Sequence, residues 1–276
     1  NNIPILNNLG TVFTNLKEFK DAETSYKKVI ETDPNNSNAH YNCGLLYLKL
    51  KELKKAKNFF KKTINLEPTF ALAFLALANI NADEKEYEIA VDNYQKAIQL
   101  RPKLVNAHNN LGLAFGKLGK PQNAINCYQT VIKLKFDHAG AHHNLALALK
   151  EMGRFKEAMV SHNNAIKHEP ENLMHYFYLC DLDKNILNSK LKEKSEKIVN
   201  DKKSSIKNIA FGNYLLSKFE KQVNNFEKEL NYLIKGHKIF FNANKMSFDL
   251  KTKYVFENLA QISKEAKVNK SKEKNE

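Results

Sequence analysis

The chain has no tryptophan, and only two of its basic residues are arginine, Arg101 and Arg154. The net charge of +14 therefore rests almost wholly on lysine. Nucleic-acid surfaces tend to interleave arginine with aromatic rings on one face, and no such stretch occurs here. Lysine is joined by abundant asparagine and isoleucine, the bias of an AT-rich genome, so the charge points to codon usage more than to a polyanionic partner. The lysine-rich stretches 54–62, 190–207 and 264–274 read as solvated faces. Cysteine is scarce. Cys43, Cys127 and Cys180 are far apart and lack metal-ligand spacing. They read as small buried hydrophobes in a reducing compartment, and a cytoplasmic location is expected. No apolar run approaches the roughly eighteen residues of a membrane span, and no secretory leader pattern opens the chain. The nine glycines do not cluster into a phosphate loop. There is no HExxH, no GxSxG and no paired Cys/His signature, and the carboxylates are scattered. The reading is of a chain with no catalytic residues, no cofactor and no metal. With 42% hydrophobic residues it nonetheless has enough apolar content to fold.

What is present is a repeat. Ala22, Ala56, Ala90, Ala124 and Ala158 are spaced by 34 residues. Pro34, Pro68 and Pro102 keep the same step, Phe136 interrupts it, and Pro170 resumes it; no proline follows. Small residues fall at Gly10, Gly44, Ala78, Gly112 and Ala146. With Ile3 as position one, bulky residues recur at i, i+3 and i+7 in each first segment, as in Leu6, Leu9, Phe13 and His108, Leu111, Phe115. That is one stripe of an amphipathic helix. The small residue at position eight lets a second helix approach closely, and an aromatic at position 24 (Tyr26, Phe60, Tyr94, Tyr128) packs against it. Proline then closes the unit.

A period of 34 with these marks resembles the tetratricopeptide repeat, a helix–turn–helix unit. Five repeats fit, at about 3–36, 37–70, 71–104, 105–138 and 139–171. The expected fold is all-α, a solenoid of antiparallel helix hairpins stacked on one another; the resemblance implies a right-handed superhelix with a concave groove lined by the first helices. Asn1-Asn2 occupies the place of Asn35-Asn36 after a repeat proline, so the array reads as continuing from an earlier unit. Residues 172–263 read as degenerate hairpins and a capping helix (245–263), and 264–276 as a charged, frayed tail.

The stretch "NAHNNLGLAF" at 106–115 raises the functional question, because asparagine is a mediocre helix former. Asn8, Asn42, Asn110 and Asn144 all occupy position six, and only Ala76 breaks the series. This position lies off the packing stripe. A carboxamide both donates and accepts, so a row of them can hold an extended peptide by its backbone. The arrangement is similar to the asparagine ladder of O-linked N-acetylglucosamine transferase superhelices. Asn7, Tyr41, Asn109, His143 and, one turn on, Leu45, Asn79, Leu113 and Leu147 are expected to line the same groove. This mix lacks the basic set of the carboxylate-clamp members of the family. His40, His108 and His142 stand in a packing slot and read as core or edge residues rather than metal ligands.

The function expected is a non-catalytic scaffold that binds a protein or extended peptide, with no specific nucleic acid and no membrane as partner. Two other readings stand beside it. Residues 206–241 resemble the helical stretch that joins tetratricopeptide repeats to a sulfotransferase domain in bacterial fusion proteins, with Phe226, Leu230 and Gly236-His237 carrying the likeness. That resemblance implies a substrate-binding leader of a larger transferase. The third is a structural scaffold that self-associates through bare solenoid ends.

Overall fold

The computed structural model describes residues 2–243; the expected capping helix at 245–263 and tail at 264–276 lie outside them. The architecture is an all-α solenoid with no strand among the described residues. The chain divides into two compact units between Arg154 and Phe155.

In the first unit, α1 (Ile3–Leu16) and α2 (Phe19–Thr32) form a hairpin. So do α3 (Ser37–Lys49) with α4 (Leu53–Leu66), α5 (Ala71–Asp83) with α6 (Tyr87–Leu100), and α7 (Val105–Lys117) with α8 (Pro121–Leu134). α9 (Ala139–Glu151) packs on α8, as each earlier first helix packs on the second helix before it. First helices also adjoin first helices, α1 with α3 and α5 with α7.

The position-eight glycines explain how close the helices come. A Cβ on Gly10 would lie 2.5 Å from the Tyr26 ring, and one on Gly44 would lie 2.5 Å from Phe60. At Gly112 the distance to Tyr128 would be 2.6 Å. Those rings are buried, so the helices can meet face to ring only where the side chain is absent.

Two kinds of turn repeat with the same period. Within each hairpin one residue adopts a left-handed conformation: Lys17, Lys51, Lys85, Gly119 and Gly153. The next N–H donates five residues back, as Glu52 to the Tyr47 carbonyl at 2.9 Å and Lys120 to Phe115 at 2.9 Å. This is a Schellman-type stop, which suits glycine; three lysines hold it at some backbone cost. Between repeats, a histidine at position four ties three of the turns. His40 Nε2 lies 3.0 Å from the Pro34 carbonyl, His108 Nε2 2.9 Å from Pro102, and His142 Nε2 3.0 Å from Phe136. A carbonyl only accepts, so each ring donates from Nε2. The three histidines are thus structural ties, consistent with the packing slot read from sequence.

The second unit begins with α10 (Phe155–His168) and a short α11 (Leu173–Leu179). Here Tyr176 takes the place of the histidine, its hydroxyl donating to the Pro170 carbonyl at 3.1 Å. After a 3-10 turn at Lys184–Ile186 come α12 (Ser189–Asn200), α13 (Ile206–Gln222) and α14 (Phe226–Ala243). The core joins Leu173, Leu191, Ile198, Phe211, Leu215 and Phe219. Gly236 on α14 meets Tyr214 on α13, where a Cβ would lie 2.7 Å from the ring. The Tyr214 hydroxyl lies 3.2 Å from His237 Nδ1. Gly236 and His237 therefore have packing roles of their own in this hairpin.

Candidate functional site

The candidate site is the amide row on the first helices of unit one. Its two ends differ. Asn8 is exposed and Asn42 half-buried, and neither side chain hydrogen-bonds among the described residues. Asn7 is half-buried, with its Oδ1 enclosed and without a hydrogen-bond partner. Tyr41 is half-buried against Phe70 (ring centroids 4.8 Å apart) and Phe60 (5.6 Å). Burial pushes its hydroxyl above the ordinary phenol range, so it stays protonated.

In repeats three to five the carboxamides are linked to one another. Asn144 Nδ2 donates to Asn109 Oδ1 at 3.3 Å, and Asn109 Nδ2 donates to Asn110 Oδ1 at 3.2 Å. Asn110 Nδ2 in turn donates to Asn79 Oδ1 at 2.9 Å. The same oxygen accepts from the Tyr94 hydroxyl at 2.7 Å. Four amides from three repeats thus form one hydrogen-bonded chain with a single sense of donation. Each donating amide uses one N–H for this chain, which leaves its second N–H for another partner. Burial raises the Tyr94 hydroxyl to about 12 and keeps it a donor.

Asn79 and Asn110 line an open cavity with Tyr94, Leu113, Asp83 and Lys117. Leu113 is 44% exposed there, a large apolar side chain left beside the amides. Leu45 and Leu147 are half-buried. His143 is placed deeper than the others, at 6% exposure.

Two features escape a reading of position six alone. One is Tyr94, which joins the row from the second helix. Its counterpart in the first repeat makes the matching contact with position nine, Tyr26 OH lying 3.2 Å from Thr11 Oγ1. A hydroxyl at position 24 opposite a polar residue at position nine was the available signal. The other is Asn79, whose oxygen is the point where the row converges. No group of three or more His, Cys, Asp or Glu side chains able to hold a metal occurs among the described residues. No helix among them is long and apolar enough to cross a membrane.

No curated protein matches the chain. Among solved structures it is similar to MamA, at 28% identity over 62% of this chain and 93% of that one, with a TM-score of 0.56. A second MamA structure gives 29% identity, 59% and 95% coverage, and a TM-score of 0.55. YrrB, described as a TPR protein with an unusual peptide-binding site, shares the fold at 20% identity, 62% and 88% coverage, and a TM-score of 0.55. A TPR repeat model matches residues 10–51 and 78–119. Tetratricopeptide repeat models match 105–138, and 37–70 with 139–172. Together these matches span more than half of the chain, those at 37–70 and 105–138 each coinciding with one hairpin, and the chain belongs to the tetratricopeptide-repeat family.

Proposed function

We propose that the first unit is a non-catalytic receptor for an extended polypeptide, held along the amide row of its first helices. Asn8, Asn42, Asn110 and Asn144 supply paired donors and acceptors, with Asn7, Tyr41, Asn79, Asn109 and His143 on the same helices. The observation that carries this reading is the hydrogen-bonded chain Asn144–Asn109–Asn110–Asn79. It orients amides from successive repeats along one line and leaves each with bonding capacity that a peptide backbone can satisfy. The exposed Leu113 beside them offers apolar contact for ligand side chains. YrrB, of the same fold, is described as having a peptide-binding site.

Recognition of this kind reads the ligand's backbone more than its sequence. Selectivity then falls to the flanking side chains, such as Asp83 and Lys117. A dodecapeptide selected from a randomised phage-displayed library against the full chain, then resynthesised, provides the probe. Each amide removed should weaken its binding by about 1 kcal/mol, the worth of a neutral hydrogen bond. Asn42→Ala combined with Asn110→Ala is the decisive variant. Unchanged affinity by calorimetry, with the fold intact by circular dichroism, would remove the amide row from the account.

A further inference from the structure

The row of position-six amides is interrupted in the third repeat, where the residue is Ala76. The structure gives a reason for the interruption. Ala76 is buried in a cluster with Phe60, Tyr47 and Ile80, and Tyr41 packs against the same cluster. A carboxamide there would be enclosed by aromatic and aliphatic side chains and left without a polar partner. One turn further along the same helix, the backbone carries Asn79 out of that cluster and into the cavity shared with Asn110.

We infer that Asn79 is the missing rung, and that it contributes to the groove specifically as a hydrogen-bond donor. The inference rests on the reading of this groove as a peptide site. Its basis is the bonding around one atom. Asn79 Oδ1 already accepts from both the Tyr94 hydroxyl and Asn110 Nδ2. With the oxygen fully engaged, the amide orientation is set, and Nδ2 turns away from both partners. That nitrogen makes no hydrogen bond to any described residue and is not enclosed as an unsatisfied buried atom. It presents two N–H groups beside the cavity. The ligand group that matches is an acceptor without charge, a peptide carbonyl of an extended chain, whose side chain would lie over the exposed Leu113.

This assigns different tasks to the two amides of one pair. Asn110, at position six, hands one N–H to its neighbour and keeps one. Asn79 hands over none and keeps both. Tyr94 is a positioning residue: its hydroxyl holds the Asn79 oxygen in place and touches the ligand only through that amide.

The test is Asn79→Asp in the full chain, with the selected dodecapeptide as probe. Aspartate keeps the one oxygen to which Tyr94 and Asn110 both donate, and replaces the donor nitrogen by a second oxygen. Binding should fall about fivefold or more, as for loss of one or two hydrogen bonds, with the fold intact by circular dichroism. The measurement is repeated at high salt, so that a charge effect of the new carboxylate is screened out. Tyr94→Phe should weaken binding less than Asn79→Asp, because the amide then loses its anchor and not its donors. If Asn42→Ala and Asn144→Ala weaken binding but Asn79→Asp does not, the assignment of Asn79 is overturned and the amide row stands. If none of the three changes affinity, the groove reading fails and this inference fails with it.

Discussion

The two units bring helices together by the same device with the parts exchanged. In unit one the glycine is on the first helix of the hairpin and the ring on the second, as in Gly44 and Phe60. In the α13–α14 hairpin the ring, Tyr214, is on the first helix and the glycine, Gly236, on the second. The geometry needed is a hole opposite a flat side chain. Which helix supplies which is free to change, as long as the pair stays matched. The difference lies in what surrounds the ring. Phe60 is fully buried, whereas Tyr214 is half-buried and keeps a polar tip on His237. Unit one therefore has less room to yield.

The comparison can be broken most directly with Gly44→Ala. A helix interior ordinarily gains about 1 kcal/mol from this change. Here the new Cβ would meet a buried ring at 2.5 Å, so a net loss of about 2 kcal/mol is expected in urea unfolding. Gly236→Ala should cost about 1 kcal/mol, because the half-buried Tyr214 can turn aside and the new Cβ is left against the Ala210 carbonyl, 3.1 Å away. Equal losses at the two sites would mean that ring burial does not set the tolerance. Acid sharpens the contrast further. Burial holds His175 below its ordinary value of 6.5, with Glu169 opposing the shift, and burial alone lowers His237. Both rings favour the neutral form in the folded state. Their contribution to stability is present above pH 6.5 and is lost as the pH falls from there through their lowered folded values. Unfolding of the second unit, followed by the environment of the Tyr214 ring, should therefore shift to lower denaturant between pH 7 and pH 5. Replacing both histidines by glutamine should flatten that dependence. The smallest effect belongs to the hairpin turns. Lys85→Gly removes the strain of a left-handed lysine against some added freedom in the unfolded chain, for a net gain of about 0.5 kcal/mol. Gly119→Lys, at the equivalent turn, should lose a similar amount.

Most of the first unit can be read from its letters because several positions carry one period at once. Gly10, Ala22, Tyr26 and Pro34 each predict their counterparts, and the hairpins fall where those marks place them. The histidines are legible as a pattern but not as a mechanism, since the partner is a backbone carbonyl that sequence does not display. The amides are a harder case. Asn79 and Asn110 are 31 residues apart, and their contact depends on how α5 and α7 adjoin. Nothing in the spacing of 34 anticipates a bond between position nine of one repeat and position six of the next. The second unit resists reading for another reason. Ala158 is its last small residue at position 20; in α13 and α14 the small residues are Gly212 and Gly236, which stand out of that frame against Val199 and Tyr214.

The histidine ties carry a consequence for how the array comes apart. Each joins the exit of one hairpin to the entrance of the next, so neighbouring hairpins share a fastening that neither owns alone. The third hairpin has Phe74 in that place, which has no donor to offer. The turn between α4 and α5 thus lacks this tie, and the polar link between the two hairpins lies at the other end of α5, where Lys57 on α4 pairs with Glu84 and Glu86. With Lys57→Ala removing those pairs, amide protons flanking this seam should exchange with solvent ahead of those at the histidine-fastened seams.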